Sequence, residues 1–276
     1  MELSIEKEEL LNQIIADLRR IENIEAVVLG GSYSTGNATE KSDIDIGLYY
    51  SENAPFNIDS IKQIANKYSI HKPTVTNFYD WGKWVNGGAW IETKYGKLDF
   101  IYKNIEQLIA TISDSKNGKW ENDFEQKPPY GFSSITYLAE TKNCIVLYDK
   151  SGILKSLKEK VEVYPNKLKK TIITESIRSV EFTISHAELF FNENNMYHTT
   201  GCLTRAIKSI LNIIFAINET YPINDKSAIK TIQMKEKCPK NLNLKINNIL
   251  SLKIGEGMQN IQYLKELFKE TISFLE

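Results

Sequence analysis

Apolar Ile5, Leu10, Leu11, Ile14, Ile15 and Leu18 recur at near-helical spacing over residues 5–21, which predicts an amphipathic opening helix. Ala26-Val27-Val28-Leu29 is a short apolar run ending on Gly30-Gly31-Ser32, the pattern of a buried strand running into a tight turn, with a short helix after Tyr33. Residues 43–50 start with strand-like alternation, and 58–68 return to helical spacing. Two strand-like runs, 89–93 and 97–102, flank Lys94-Tyr95-Gly96 and predict a hairpin that completes a small mixed sheet. Residues 105–113 read as a helix. The stretch 117–132, with Pro128-Pro129, reads as the longest loop, a connection between domains or a lid. Within 126–149 a helix followed by the strand Ile145–Tyr148 is expected. Beyond Pro165 strand patterning stops, and 168–191, 203–217, 242–252 and 258–275 all carry helical periodicity, the mark of a bundle. The expected architecture is α+β: a small mixed-sheet domain over residues 1–115, then a mainly helical domain over 116–276 that closes a substrate cleft.

Composition narrows the class without changing that picture. A chain of 276 residues suits two domains of ~100–200 residues each. With 34 Lys plus Arg against 35 Asp plus Glu the net charge is −1, so the basic excess of a nucleic-acid groove is missing and nucleic acid is not an expected partner. Cys144, Cys202 and Cys238 show no C-x-x-C spacing, which argues against a disulfide framework or thiolate zinc site and fits a reducing cytoplasm. The N-terminal segment is charged from Glu2 and no apolar run reaches the ~18 residues of a spanning helix, so neither secretion nor membrane insertion is expected.

The chemistry concentrates in Leu29-Gly-Gly-Ser-Tyr-Ser-Thr-Gly36 followed by Ser42-Asp-Ile-Asp-Ile46. On a strand, Asp43 and Asp45 point to one face while Ile44 and Ile46 point to the other. Two convergent carboxylates call for a cation between them, and hard oxygen donors suit Mg²⁺, which shares its coordination with waters and substrate phosphates. Asp99, flanked by Leu98 and Phe100 on a later strand, supplies the third ligand a two-metal site requires. Gly30, Gly31 and Ser32 sit where the strand turns, so bare N–H groups and the Ser32 hydroxyl are able to approach phosphate oxygens.

These residues, Gly30-Gly31-Ser32, Asp43-Ile44-Asp45 and Asp99, resemble the signature of the DNA polymerase β-type nucleotidyltransferase superfamily. Within it, a short N-terminal domain followed by a helical half is similar to bacterial aminoglycoside and lincosamide nucleotidyltransferases. The resemblance covers roughly residues 25–103. It implies that the Gly-Ser turn holds the triphosphate of an NTP, ATP being the expected one, and that Asp43, Asp45 and Asp99 bind two Mg²⁺ ions. The implied reaction moves an NMP to a hydroxyl of a small molecule, an aminoglycoside or lincosamide antibiotic among the candidates, and releases pyrophosphate. AMPylation of a protein side chain and a non-catalytic nucleotide-sensing module are the alternatives. A homo-oligomer stays open.

No motif marks the general base. Glu92 would lie opposite Asp99 if the hairpin closed at Tyr95-Gly96, and Glu140 follows the Pro-rich loop. Other features read more simply as structure. Gly87-Gly88 reads as a loop, Trp81, Trp84, Trp90 and Trp120 as half-buried packing, and Glu121, Asp123 and Glu125 as a solvated cluster. His71, His186 and His198 lack zinc-site spacing, and Lys208, Lys226 and Lys230 stay unassigned.

Overall fold

The computed structural model describes residues 3–252 and 257–275. Helix α1 (Ile5–Leu18) starts where the Ser4 hydroxyl accepts from Lys7 N–H at 3.3 Å, an N-cap. Strand β1 (Ala26–Leu29) runs into the one-turn helix α2 (Gly31–Ser34), which begins on the turn residues themselves, earlier than the predicted start after Tyr33. Then follow β2 (Ile44–Tyr50), α3 (Ile58–Tyr68), β3 (Thr74–Val75), β4 (Gly88–Thr93), β5 (Gly96–Asn104) and α4 (Ile105–Lys116). The predicted long loop holds a two-strand ribbon, β6 (Asn122–Asp123) with β7 (Phe132–Ser133). After it come α5 (Ile135–Asn143) and β8 (Ile145–Asp149), matching the expected helix and strand, and α6 (Ile153–Val161). The remaining helices are α7 (Asn166–Asn192), α8 (Met196–Ile217), α9 (Ala228–Ile232), α10 (Leu242–Leu250) and α11 (Gly257–Ile272), closed by a 3₁₀ turn at Ser273–Leu275.

Contacts group the chain into two units, Met1–Ser113 with Asn122–Val163, and Asp114–Glu121 with Tyr164–Glu276. The first unit therefore runs past the expected boundary at residue 115. The reason is β8, which pairs antiparallel with β1 and so belongs to the sheet although α4 separates it from the other strands in sequence. The main sheet has the order β3-β4-β5-β2-β1-β8, with β2 and β5 parallel and every other pair antiparallel.

One sheet face is dry. Val27, Leu29, Ile44, Ile46, Leu48, Ala89, Ile91, Leu98 and Phe100 meet Leu11, Ile14 and Leu18 of α1 and Ile61 and Ala65 of α3 in a continuous core. The period of two on the strands and the helical stripes on α1 and α3 bury the same residues from opposite sides. The other face carries Asp45, Gly47 and Tyr49 on β2 and Asp99, Ile101 and Lys103 on β5, and α5 covers its inner end, where Lys103 meets Glu140 and Tyr49 meets Thr141. The outer end of that face is open.

Among its described residues the second unit has helices and no strands, with Val180, Ile184, Leu203, Ile207, Ile210, Ile214, Ile246, Ile261 and Leu264 in its core. Helix α8 is, against the sequence expectation, long and apolar enough to cross a membrane by length and composition, yet its apolar positions pack into this core. Trp120 donates from Nε1 to Glu175 at 2.7 Å, and Lys208 pairs with Asp225 at 2.5 Å, which gives both a structural use within this unit.

Candidate active site

The parallel ladder sets Ile44 against Leu98 and Asp45 against Asp99, so the two carboxylates stand side by side on the open face, one strand spacing apart. Both are half-buried. Burial, then repulsion from Asp99, Asp43 and Glu140, pushes the Asp45 carboxyl up to about 6, with Lys103 opposing. The Asp99 carboxyl likewise rises to about 6 through burial and the charge of Asp43, with Lys97 opposing. Asp43 stands just before β2, close enough for its charge to be felt by both.

The glycine turn is built around this pair. Gly30 N–H donates to the Asp45 carbonyl at 2.8 Å, continuing the sheet ladder beyond β1. Gly31 has φ +57°, and a Cβ there would lie 1.7 Å from Asp45 Oδ2, so only glycine admits the carboxylate at this spot. Ser32 follows in the first turn of α2, where helical N–H groups have no intrahelical acceptor. Lys7 of α1 fastens the segment from outside: its Nζ donates to Tyr33 Oη at 3.1 Å, to the Glu40 carbonyl at 3.3 Å and to the Ser42 carbonyl at 3.1 Å. It thereby holds both the residue after Ser32 and the residue before Asp43.

The structure brings Gly30, Gly31, Ser32, Asp43, Asp45 and Asp99 to one sheet end, but preassembles less than a metal cage. Among the described residues no group of three or more His, Cys, Asp or Glu side chains is gathered to hold an ion. Three oxygen donors of one sign, two of them raised by burial and by neighbouring charge, nonetheless have the donor chemistry that a hard divalent cation requires.

The base candidates separate. The hairpin closes with Thr93 opposite Gly96, so Glu92 faces Lys97, and Trp90, not Glu92, lies opposite Asp99. The reading of Glu92 as the partner of Asp99 is corrected: the two-residue turn Lys94-Tyr95 shifts the register by two positions. Glu140 Oε2 lies 2.5 Å from Lys103 Nζ, with Lys103 nearly buried and packed 4.6 Å from the Tyr137 ring centre. Burial opposes its charge, but Lys103 and Lys127 hold the Glu140 carboxyl below the usual range. Lys97 and Lys103 were missed from the sequence, although both follow from alternation: they stand two before and four after Asp99 on one strand, hence on its face. Gly88, read with Gly87 as a loop, instead opens β4 and is close-packed there, since a Cβ on it would lie 1.9 Å from the Phe100 carbonyl oxygen.

The glycine turn beside the paired carboxylates of Asp45 and Asp99 makes this sheet end a candidate site for phosphate and a hard cation. Residues 12–77 match the family Polymerase beta, Nucleotidyltransferase, a span that includes the Gly-Ser turn, Asp43 and Asp45 and stops short of Asp99. Over those residues the chain carries a polymerase β-type nucleotidyltransferase domain. Residues 133–226 match a second family, Domain of unknown function (DUF4037). Among solved structures, a nucleotidyltransferase-like protein from Exiguobacterium sibiricum 255-15 aligns over 98% of this chain and 78% of its own, at 8% identity and a TM-score of 0.48. No curated protein matches the sequence.

Proposed function

We propose that the enzyme transfers an NMP from an NTP, ATP first, to a hydroxyl of a small molecule in a reaction that depends on Mg²⁺, with sugar-bearing antibiotics of the aminoglycoside and lincosamide types as the first acceptors to test. The observation that carries this reading is the register of Asp45 and Asp99 on adjacent parallel strands, with Gly31 kept bare beneath Asp45. Asp43, Asp45 and Asp99 would hold the metal, which when bound supplies charge neutralisation for the phosphates and the leaving group. Gly30, Gly31 and Ser32 would receive the triphosphate through N–H groups and the Ser32 hydroxyl. The acceptor oxygen forms a bond to the α-phosphorus, the bond from that phosphorus to the bridging oxygen breaks, and pyrophosphate departs with the electron pair. The hydroxyl proton passes to a site carboxylate. Glu140, whose charge is felt at Asp45, is favoured over Glu92, which faces Lys97.

The test is pyrophosphate release by the purified protein with Mg²⁺ and each NTP, across a panel of aminoglycosides and lincosamides. Release is expected to depend on one acceptor and to fall at least ~100-fold in Asp45→Asn or Asp99→Asn, the order of effect of losing one stabilising group at the reacting phosphate. Near-normal transfer by either variant would overturn the mechanism. Label from ATP appearing on a protein band instead of a small molecule would move the acceptor to a protein side chain.

A further inference from the structure

Thr74 of β3, Trp90 of β4, Asp99 of β5 and Asp45 of β2 stand directly opposite one another in a single row across the sheet. The Gly-Ser turn borders the carboxylates on the β1 side, through Gly30 N–H on the Asp45 carbonyl, and Trp90 borders them on the other. Side chains opposite each other across strands share a face, so the Trp90 indole belongs to the same open face as the two acids, one strand from Asp99.

That indole is 49% exposed, a large apolar surface left in water next to a reaction centre. It is not a loose side chain. Its covered side stacks on Trp81, with ring centres 4.3 Å apart and planes 29° apart. Trp81 is seated in turn over Gly88, where an added Cβ would lie 3.3 Å from its ring. Glu92, two residues along β4 and therefore on the same face, keeps a side chain that is 56% exposed, 4.0 Å from His71 Nε2.

A fixed indole face with carboxylates on two sides is the chemistry that receives a sugar: the flat C–H face of the ring covers the aromatic surface, and its hydroxyl or ammonium groups reach the carboxylates at the edge. The triphosphate is better served by the N–H groups of the turn on the far side. We infer that the exposed face of Trp90 is the acceptor subsite and that the acceptor is a sugar or amino sugar, stacked so that one hydroxyl is delivered across Asp99 while Glu92 accepts from another polar group of the ring. This rests on the transfer reading above and specifies its acceptor class.

The test follows the indole N–H signals of the intact ¹⁵N-tryptophan-labelled protein, which has four tryptophans, the Trp90 signal being identified by its loss in Trp90→Phe. Kanamycin, lincomycin and methyl glucoside are the sugar probes, and ATP with Mg²⁺ is the nucleotide probe. A sugar probe is expected to shift the Trp90 signal. For the acceptor found by pyrophosphate release, Trp90→Ala is expected to raise KM about tenfold, the order of a lost aromatic stack, with Trp90→Phe recovering most of it and ATP affinity measured without acceptor unchanged. Melting temperatures of both variants check that the Trp81 side still packs. A Trp90 signal that moves with ATP alone would give the surface to the nucleobase and overturn the inference. A signal that no sugar probe moves, while ATP binding still requires Asp45, overturns it too and leaves the transferase reading standing. Loss of that Asp45-dependent ATP binding would instead bring down the transferase reading itself.

Discussion

Replacing Asp45 with Asn should stabilise the metal-free protein, because the native fold holds this carboxylate where its charge is opposed. The carboxyl titrates near 3.8 in an unfolded chain and at about 6 in the fold, pushed there by burial and then by Asp99 and Asp43. Between those two values the folded state binds more protons than the unfolded state, so stability falls as pH rises through the window and the cost is complete above pH 6. A shift of roughly 2 units corresponds to about 3 kcal/mol. Asp45 is half-buried, so solvent screening lowers that figure, which is an upper bound. Asn keeps the shape beside Gly31 and drops the charge. In EDTA at pH 7.5 the variant should therefore be more stable than the parent by up to about 3 kcal/mol, several degrees in Tm. At pH 4 the two should be nearly equal. Adding Mg²⁺ at pH 7.5 should raise the parent's Tm and move the variant's much less, since binding to the native state alone stabilises it. Urea and thermal unfolding across pH 4–8, with and without Mg²⁺, measure all three. An Asn variant less stable than the parent at pH 7.5 in EDTA, or one with the same advantage at pH 4, would refute the account of the carboxylates as a strained cluster.

Gly31→Ala places a methyl group 1.7 Å from Asp45 Oδ2 at φ +57°. It should abolish most pyrophosphate release while costing about 1–2 kcal/mol in unfolding free energy, and an alanine variant with normal turnover would show that the turn is not close to the reacting groups. Lys103→Met strands the Glu140 carboxylate and should cost about 3 kcal/mol, whereas Lys103→Met/Glu140→Leu should be less destabilised than that single variant. Additive losses in urea unfolding would contradict the pairing. Lys7→Met frees the three acceptors of its ammonium group, two of them the carbonyls of Glu40 and Ser42 ahead of Asp43. We expect roughly a tenfold lower kcat at a stability cost near 1 kcal/mol, and a kcat equal to the parent's would remove Lys7 from any part in placing Asp43.

The strand into Gly30-Gly31-Ser32, the Asp-x-Asp strand and the helical periodicity beyond Pro165 were all readable, because each depends on local alternation or local turn chemistry. The separation of Asp43 and Asp45 from Ile44 and Ile46 needed nothing more than the period of a strand. The short strand Thr74–Val75 gave no such signal, having two residues and no room for a pattern. The one-turn α9 was equally invisible, whereas α6 was missed although Leu154, Leu157 and Val161 recur at helical spacing, and the membership of β8 in the first sheet depends on a ladder to β1 more than a hundred residues earlier.

At the site the division is sharper. Residue types and spacing were enough to single out Asp43, Asp45, Asp99 and the Gly-Ser turn as candidates. They did not decide which residue faces Asp99 from β4, because a two-residue turn sets that register, and moving it by two positions exchanges Glu92 for Trp90. Nor could they show Lys103 meeting Glu140 across 37 residues, or Lys7 reaching Ser42 from α1. Chemical identity is written residue by residue along the chain, whereas which charges oppose or relieve one another depends on strand order and register, and these exist only once the sheet has closed.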